Sequence, residues 1–360
     1  MVDHSSPPKP PLSRASLVLR LACIGGVVAV MAGAFAYVNG TLDPQRLRPK
    51  TLVNALETNN GVHPGFRRNH AKGICVAGYF ESSAEARAYS SAQVFNADKT
   101  PVVGRFALPS GNPYAPDSSV PIRSFAVQFS QANGQQWRTG MNSMPVFPVG
   151  TPEAFYQMLK AGAPDPATGK PNPASMPAFF AAHPETAAFL AWVKTAKPSA
   201  SYATETYNGI NAFYLVSAQG KRQAVRWGVV PQSQDAPGDS APAGNDFLEK
   251  DLAQRLAAGP LRWQLNITLA NPGDPLDDAS KTWTGEHTVL NAGTLVLQSS
   301  QAQADGDCRD INFDPLVLPS GIEASNDPLL AARSAAYASS YLRRAGEVSP
   351  LHSAPQESKP

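Results

Sequence analysis

Two segments far apart in the chain carry residue types suited to proton and electron chemistry. Arg67-Arg68-Asn69-His70-Ala71-Lys72-Gly73 sets an imidazole beside two guanidinium groups. Imidazole titrates near neutral pH, so it can take up a proton and return it. Near the other end, Arg333, Tyr337, Tyr341 and Arg344 recur at three- and four-residue spacing. On a helix that spacing puts them on one face. An apolar stripe is the usual find on such a face. A stripe of Arg and Tyr asks instead for something planar or anionic to pack against. Taken singly, each segment also suits a surface or structural role.

These residues need a scaffold, and the pattern between them is mostly β. Trp263–Leu269 alternates, with Trp263, Leu265, Ile267 and Leu269 on one face. Phe125, Val127 and Phe129 alternate in the same way. Ala212–Ser217 and Ala224–Val230 flank Gln219-Gly220 and read as a hairpin. Thr294–Gln298 is a further short strand. Strands spread this widely, without regular helices between them, predict an antiparallel sheet or barrel rather than βαβ units. Short helices are expected at Glu153–Ala161, capped by Thr151-Pro152, at Glu185–Ala196 and at Phe247–Ala258. A longer one runs from Asp327 to about Arg344. Pro231–Asn245 reads as a surface loop. The fold class expected is α+β, an antiparallel barrel with surrounding helices.

Composition narrows the function classes. The 360 residues include 34 prolines and only 16% charged residues, which favours long irregular connections over a helical bundle. A net charge of +2, with no basic run interleaved with aromatics, gives no support to nucleic-acid binding. Of Cys23, Cys75 and Cys308, the last two could bridge in an oxidising compartment or remain buried thiols. No cysteine or histidine cluster has zinc spacing.

Leu21–Val38 carries no charge and is a membrane-helix candidate. Ala34-Phe35-Ala36 offers the alternative of a signal-peptide cleavage site. The length of the apolar run favours an uncleaved anchor, and either way the rest of the chain is expected outside the cytoplasmic membrane, in a periplasm or its equivalent. The organisation expected is a polar tail over 1–20, an anchor over 21–38, a linker over 39–60, a catalytic domain over 61–346 and a disordered tail over 347–360.

Further segments give the two chemical ends a context. These are VVGRF at Val102–Phe106, RSFAVQF at Arg123–Phe129, NSMPVF at Asn142–Phe147, FDPLVLPSGI at Phe313–Ile322 and RSAAY at Arg333–Tyr337. With the RxxHAKG segment, and in this order, they resemble the haem catalases from near Gly65 to Arg344. The resemblance implies a barrel core holding haem b (iron protoporphyrin IX). It implies His70 as the distal acid–base residue, Asn142 as the peroxide hydrogen-bonder and Tyr337 as the iron ligand. Arg333, one turn before that tyrosine, would keep its phenol ionised, because an arginine cannot lose its charge. Arg67, Arg105 and Arg344 match the family's haem-propionate arginines, and Phe155 falls where the family stacks a ring on the haem. Catalase is also a standard example of tyrosine-ligated haem.

Departures from the catalase pattern point to one branch. The chain ends soon after Arg344, where catalases typically continue into a helical region. Ala107 stands where most catalases place a serine that hydrogen-bonds the distal histidine, and Asn69 replaces an apolar valine. Ala338-Ser339-Ser340 replaces the usual Pro-Asp-Thr. These features resemble the minimal catalase-related peroxidases. For that branch the implied activity is reduction of hydrogen peroxide or organic hydroperoxides with an external electron donor and little dismutation. A small true catalase, a fatty-hydroperoxide rearranging enzyme and a non-enzymatic haem-binding protein are the alternatives. Retention of both His70 and Asn142 argues against the last, since haem binding alone needs neither.

Overall fold

The structure is a computed structural model and describes residues 13–38, 47–197, 199–233 and 244–348. Two compact units emerge, Met1–Arg48 and Pro49–Pro360. The first holds helix α1 (Arg14–Val38), which starts before the uncharged run at Leu21. Over Arg14–Tyr37 it is long and apolar enough to cross a membrane, a property shared by signal sequences. Its large side chains, such as Val30 and Phe35, are exposed, as expected of a helix with no amphipathic stripe.

The second unit is built on a closed antiparallel barrel. Its strands are β1 (Gly73–Ser82), β2 (Lys99–Ala107), β3 (Ser124–Ser130), β4 (Gln136–Asn142) and β5 (Tyr207–Asn208). β6 (Phe213–Val216), β7 (Arg222–Pro231), β8 (Leu261–Leu269), β9 (Val289–Ala302) and β10 (Ile322–Ala324) follow. The strand order is β10-β6-β7-β5-β4-β3-β2-β1-β9-β8, and β7 also pairs with β8, which closes the ring. β6 and β10 extend the sheet outside that ring. Closure removes the exposed edges an open sheet of this size would carry. β1 and β9 meet along most of their length, from Ile74↔Ala302 to Ser82↔Gly293, with an irregularity at Ala77/Gly78. Gly78 is required there, because a Cβ would lie 1.9 Å from the Val296 carbonyl oxygen.

The barrel interior is aromatic. Phe106 stacks on Phe125 at 4.4 Å and on Tyr202 at 4.9 Å, while Trp137 stacks on Phe129 at 4.6 Å. Trp137 also meets Trp227 edge to face at 5.0 Å. The buried indole N–H of Trp227 donates to Thr139 Oγ1 at 2.9 Å. The alternation seen in β8 and β3 reflects this inward face.

Helices surround the barrel. They are α2 (Pro49–Asn60), α3 (Pro152–Ala161), α4 (Ser175–Ala182), α5 (Ala187–Thr195), α6 (Phe247–Ala258) and α7 (Pro328–Val348). Thr151 caps α3, its side chain accepting from Ala154 N at 3.2 Å, and Pro152 opens the first turn. The range 39–60, expected as a linker, contains α2, with Leu52 and Val53 buried. α2 and α7 are held together through Arg68, which pairs with Glu57 at 2.7 Å and with Glu347. Arg343 also reaches Glu57, at 2.6 Å. The expected tail from 347 therefore begins within α7, whose Glu347 also accepts from Gly65 N at 2.9 Å. Most of the loop expected at Pro231–Asn245, the first part of the polar N-terminal tail and the range 349–360 lie outside the described residues.

Candidate active site

Strands β2 and β4, the segment before β1 and helices α3 and α7 place the chemistry around one cavity of about 690 Å³. His70, Asn142, Arg67, Arg105, Phe155, Arg333, Tyr337 and Arg344 all line it. These eight come from five separate parts of the chain, so the fold gathers every residue singled out above. α7 supplies Arg333, Tyr337 and Arg344 from one face, as their spacing requires.

His70 sits just before β1 in a left-handed backbone conformation, φ 56°. A side chain with a Cβ adopts this conformation at some cost. Asn69 helps to hold it, because its Oδ1 accepts from the His70 N–H at 3.0 Å. Burial lowers the His70 pKa to about 3, helped by the positive charges of Arg105, Arg333 and Arg67 and opposed weakly by the Leu108 backbone. The imidazole is therefore neutral at pH 7. Its Nδ1 is buried with no hydrogen-bond partner. Ala107, which also lines the cavity, has no hydroxyl to offer it.

Asn142 ends β4 opposite Ser124, and Ser124 Oγ donates to its Oδ1 at 2.7 Å. That bond fixes the amide so that its N–H₂ group remains as the donor end. Sequence reasoning did not single out Ser124. Cross-strand register is what brings the two together.

On the α7 side, Arg333 Nη2 lies 3.4 Å from the Tyr337 hydroxyl and donates to Gly140 O at 3.4 Å. Gly140 leaves little room to spare, since a Cβ there would be 3.2 Å from that same nitrogen. Arg333 Nη1 donates to Asn211 Oδ1, and Asn211 Nδ2 donates to Asp327 Oδ2 at 2.7 Å. Asp327 in turn accepts from Leu329 N at 2.9 Å at the start of α7. Burial raises the Asp327 pKa against these hydrogen bonds and the nearby Arg333. Asn211 and Asp327 are thus the supports of Arg333. Nothing in the local sequence marks either one.

Arg67, Arg105 and Arg344 form a cluster of mutually repelling cations. Arg67 is lowered well below its ordinary pKa, first by burial and then by Arg105 and Arg344. Burial lowers Arg105 to about 10. Arg105 Nε is buried and unpartnered. The carboxylate nearest to Arg344, that of Asp310, is 3.8 Å away and largely exposed. Gly73 makes room for Arg105: a Cβ there would lie 2.6 Å from its guanidinium carbon. Buried like charges without full compensation call for an anion.

The wall contributed by residues 144–193 is apolar throughout. It includes Phe147, Phe155, Met158, Phe180 and Leu190. Phe155 packs against Phe147 with ring centroids 5.4 Å apart. A flat apolar ring bearing carboxylates fits such a cavity. It would satisfy the cations and cover the apolar wall, with a phenol on one side and an imidazole and an amide available to a small substrate. A divalent metal site of acidic and sulfur ligands does not fit, because no group of three such side chains forms among the described residues.

Cys75 and Cys308 are joined in a disulfide across 233 residues of sequence, with Cα atoms 5.3 Å apart. This resolves the two alternatives the sequence left open.

Comparison with known proteins gives a consistent picture. A model of the catalase family matches residues 43–350. A catalase-related peroxidase of Synechococcus elongatus is 38% identical over 91% of this chain and 96% of its own length. A second, from Mycolicibacterium paratuberculosis, is 30% identical over 83% of this chain and 96% of its own length. A catalase of Latilactobacillus sakei is 28% identical over 82% of this chain and 65% of its own length. Among solved structures, a bacterial catalase superposes with a TM-score of 0.68 at 22% identity, covering 84% of this chain and 62% of that one. A fungal catalase gives the same TM-score at 20% identity, over 78% and 59%.

Proposed function

The chain belongs to the catalase family, whose members bind haem, and on that premise we propose that it is a haem-dependent peroxidase. It reduces hydrogen peroxide or an organic hydroperoxide with electrons from an external donor and dismutates little hydrogen peroxide. The cavity would take haem b, with Tyr337 as the iron ligand and Arg67, Arg105 and Arg344 toward the propionates. Phe155 would pack on the ring. Bound haem supplies the redox-active iron on which peroxide reduction depends.

The observation that supports this most directly is the pairing of a neutral, enclosed His70 with a cation-lined apolar cavity. A neutral imidazole takes the proton of the peroxide and returns it to the departing oxygen, which leaves as water or an alcohol. Nδ1 is buried, so Nε2 is the nitrogen left for this exchange. Asn142, fixed by Ser124, donates its amide hydrogen to the peroxide and orients it. Arg333, steadied by Asn211, keeps positive charge beside the Tyr337 oxygen, where the iron ligand would sit.

Peroxidase rather than catalase chemistry is supported by the residues around His70. With no hydroxyl partner for Nδ1, the imidazole is less firmly held than a hydrogen-bonded one. The two relatives matched over nearly their whole length also carry the peroxidase description. The test is to follow oxygen release and donor oxidation in the same purified preparation. Fast oxidation of a phenolic or dye donor with slow oxygen release is expected. Rapid oxygen release with no donor oxidised would refute the proposal.

The proposal extends to location. α1 would anchor the protein, with the haem domain outside the cytoplasmic membrane, and the disulfide suits that oxidising side. Protease added to intact cells or spheroplasts should cleave the domain, and protection until lysis would place it in the cytoplasm.

A further inference from the structure

The three cavity arginines share a support. Gln303 Oε1 accepts from Arg105 at 2.5 Å. The carbonyls of Cys308, Arg309 and Ile311 accept from Arg67 Nη2 at 3.0, 3.2 and 2.9 Å. Arg309 O also accepts from Arg344 Nη1. One irregular stretch, 303–311, therefore positions all three guanidinium groups.

That stretch belongs to no helix or strand. Its backbone bonds from Asp305 and Gly306 to Ala302, and from Arg309 to Gly306, close on the stretch and the end of β9. Beyond its chain link to β9, its covalent tie to the barrel wall is Cys308–Cys75, near the start of β1. Cys75 lies opposite Arg105 in the β1–β2 register. Gly306 packs directly on the bridge, where a Cβ would fall 2.6 Å from Cys75 Sγ. Both cysteines are buried, so the bridge is part of the wall that carries the stretch.

We propose that the Cys75–Cys308 disulfide is the positioning element of the arginine cluster, and that the cluster holds the cofactor's carboxylates firmly only while the bridge is closed. The inference rests on the reading that Arg67, Arg105 and Arg344 face those carboxylates. Three carbonyls and one side-chain amide must stay in register to aim buried cations that repel one another. A nine-residue loop freed at Cys308 does not keep that register, because beyond the arginine contacts and a small apolar cluster around Phe313 its remaining ties, the turn bonds to Ala302 and the Gln303 bond to Ala71 O at 2.9 Å, hold only its start beside β9. Opening the bridge takes two electrons and two protons from a dithiol, which becomes a disulfide while Cys75 and Cys308 become thiols.

The test measures loss of haem from the full holoprotein to a haem scavenger. Two cofactors are compared, native haem and haem whose propionates are converted to dimethyl esters. The proteins are the oxidised wild type, the wild type opened by dithiothreitol with thiols counted, and C75A/C308A, which leaves no buried hydroxyl in place of the sulfurs. Opening or removing the bridge is expected to speed loss of native haem about tenfold while leaving the ester's rate within twofold. Equal acceleration of both cofactors would show a bridge that merely stabilises the fold and would overturn the proposal. No acceleration of either, or haem loss that only tracks loss of the far-ultraviolet circular dichroism of the barrel, would overturn it too. Failure of the underlying reading looks different: in the oxidised wild type, native haem and its ester would then leave at the same rate.

Discussion

Substituting His70 by glutamine in the haem-free protein should flatten the dependence of stability on pH. The unfolded imidazole titrates near 6.5 and the folded one at about 3. Between those values the unfolded chain binds a proton that the native state refuses. Stability therefore rises with pH through this window and falls as pH drops from 6.5 toward 3. At 1.36 kcal/mol per pKa unit, His70 alone should cost about 2.5 kcal/mol between pH 7 and pH 4.5. His70→Gln carries no titrating ring and should lose that much less over the same interval. Urea denaturation of both proteins at the two pH values measures the difference directly. Equal losses would mean that the folded imidazole titrates near its ordinary value. The neutral-base role assigned to His70 in weakly acid solution would then be refuted. The same shift predicts that His70 does not set an acid limb on activity between pH 7 and pH 4.5.

Three further substitutions probe the supports of the site. Ala107→Ser should give His70 Nδ1 a hydroxyl and raise the rate of peroxide consumption several-fold, followed by stopped-flow absorbance; an unchanged rate would show that orientation of the imidazole is not limiting. Asn211→Leu removes the partner of both Arg333 Nη1 and Asp327 Oδ2. Leaving those buried groups unpaired should cost about 3 kcal/mol of stability and lower haem affinity in titrations, and full retention of both would contradict the support role. Gly73→Ala would bring a Cβ to 2.3 Å from Phe106 O and 2.6 Å from the Arg105 guanidinium. It should lower the thermal midpoint by several degrees, whereas a neutral result would show that β1 and β2 can part there without penalty.

Much of the barrel could be read from alternation because its inner face is built from large aromatics. β8 and β3 show it plainly: Trp263, Leu265, Phe125 and Phe129 are all buried. β4 also alternates, with Trp137, Thr139 and Met141 buried, but threonine and the intervening glycine dilute the signal. α2 was hidden for another reason. Its twelve residues bury only Leu52 and Val53, and its polar composition suits a linker equally well. What holds it is Glu57, paired with Arg68 eleven residues on and with Arg343 across most of the chain.

The site divides along the same line. Residues that would touch cofactor or substrate are large, chemically distinctive and set in recognisable segments, so His70, Tyr337 and the arginines stood out. Residues that hold them are not. Ser124 acts through strand register, Asn211 and Asp327 through a helix start, and Cys308, Arg309 and Ile311 through backbone carbonyls that any residue could supply. A carbonyl leaves no trace in a sequence. The choice between a bridge and two thiols likewise required the two cysteines to be placed in space.

The most direct measurement is the absorbance spectrum of the purified ferric protein, wild type and Tyr337→Phe, with haem content determined on each. A tyrosinate-ligated ferric haem should be present in the wild type. Its Soret and charge-transfer bands should change, or its haem be lost, when the phenol oxygen is removed. A haem spectrum unaltered by Tyr337→Phe, at full haem content, would contradict the assignment of Tyr337 as the iron ligand and with it the placement of haem in this cavity.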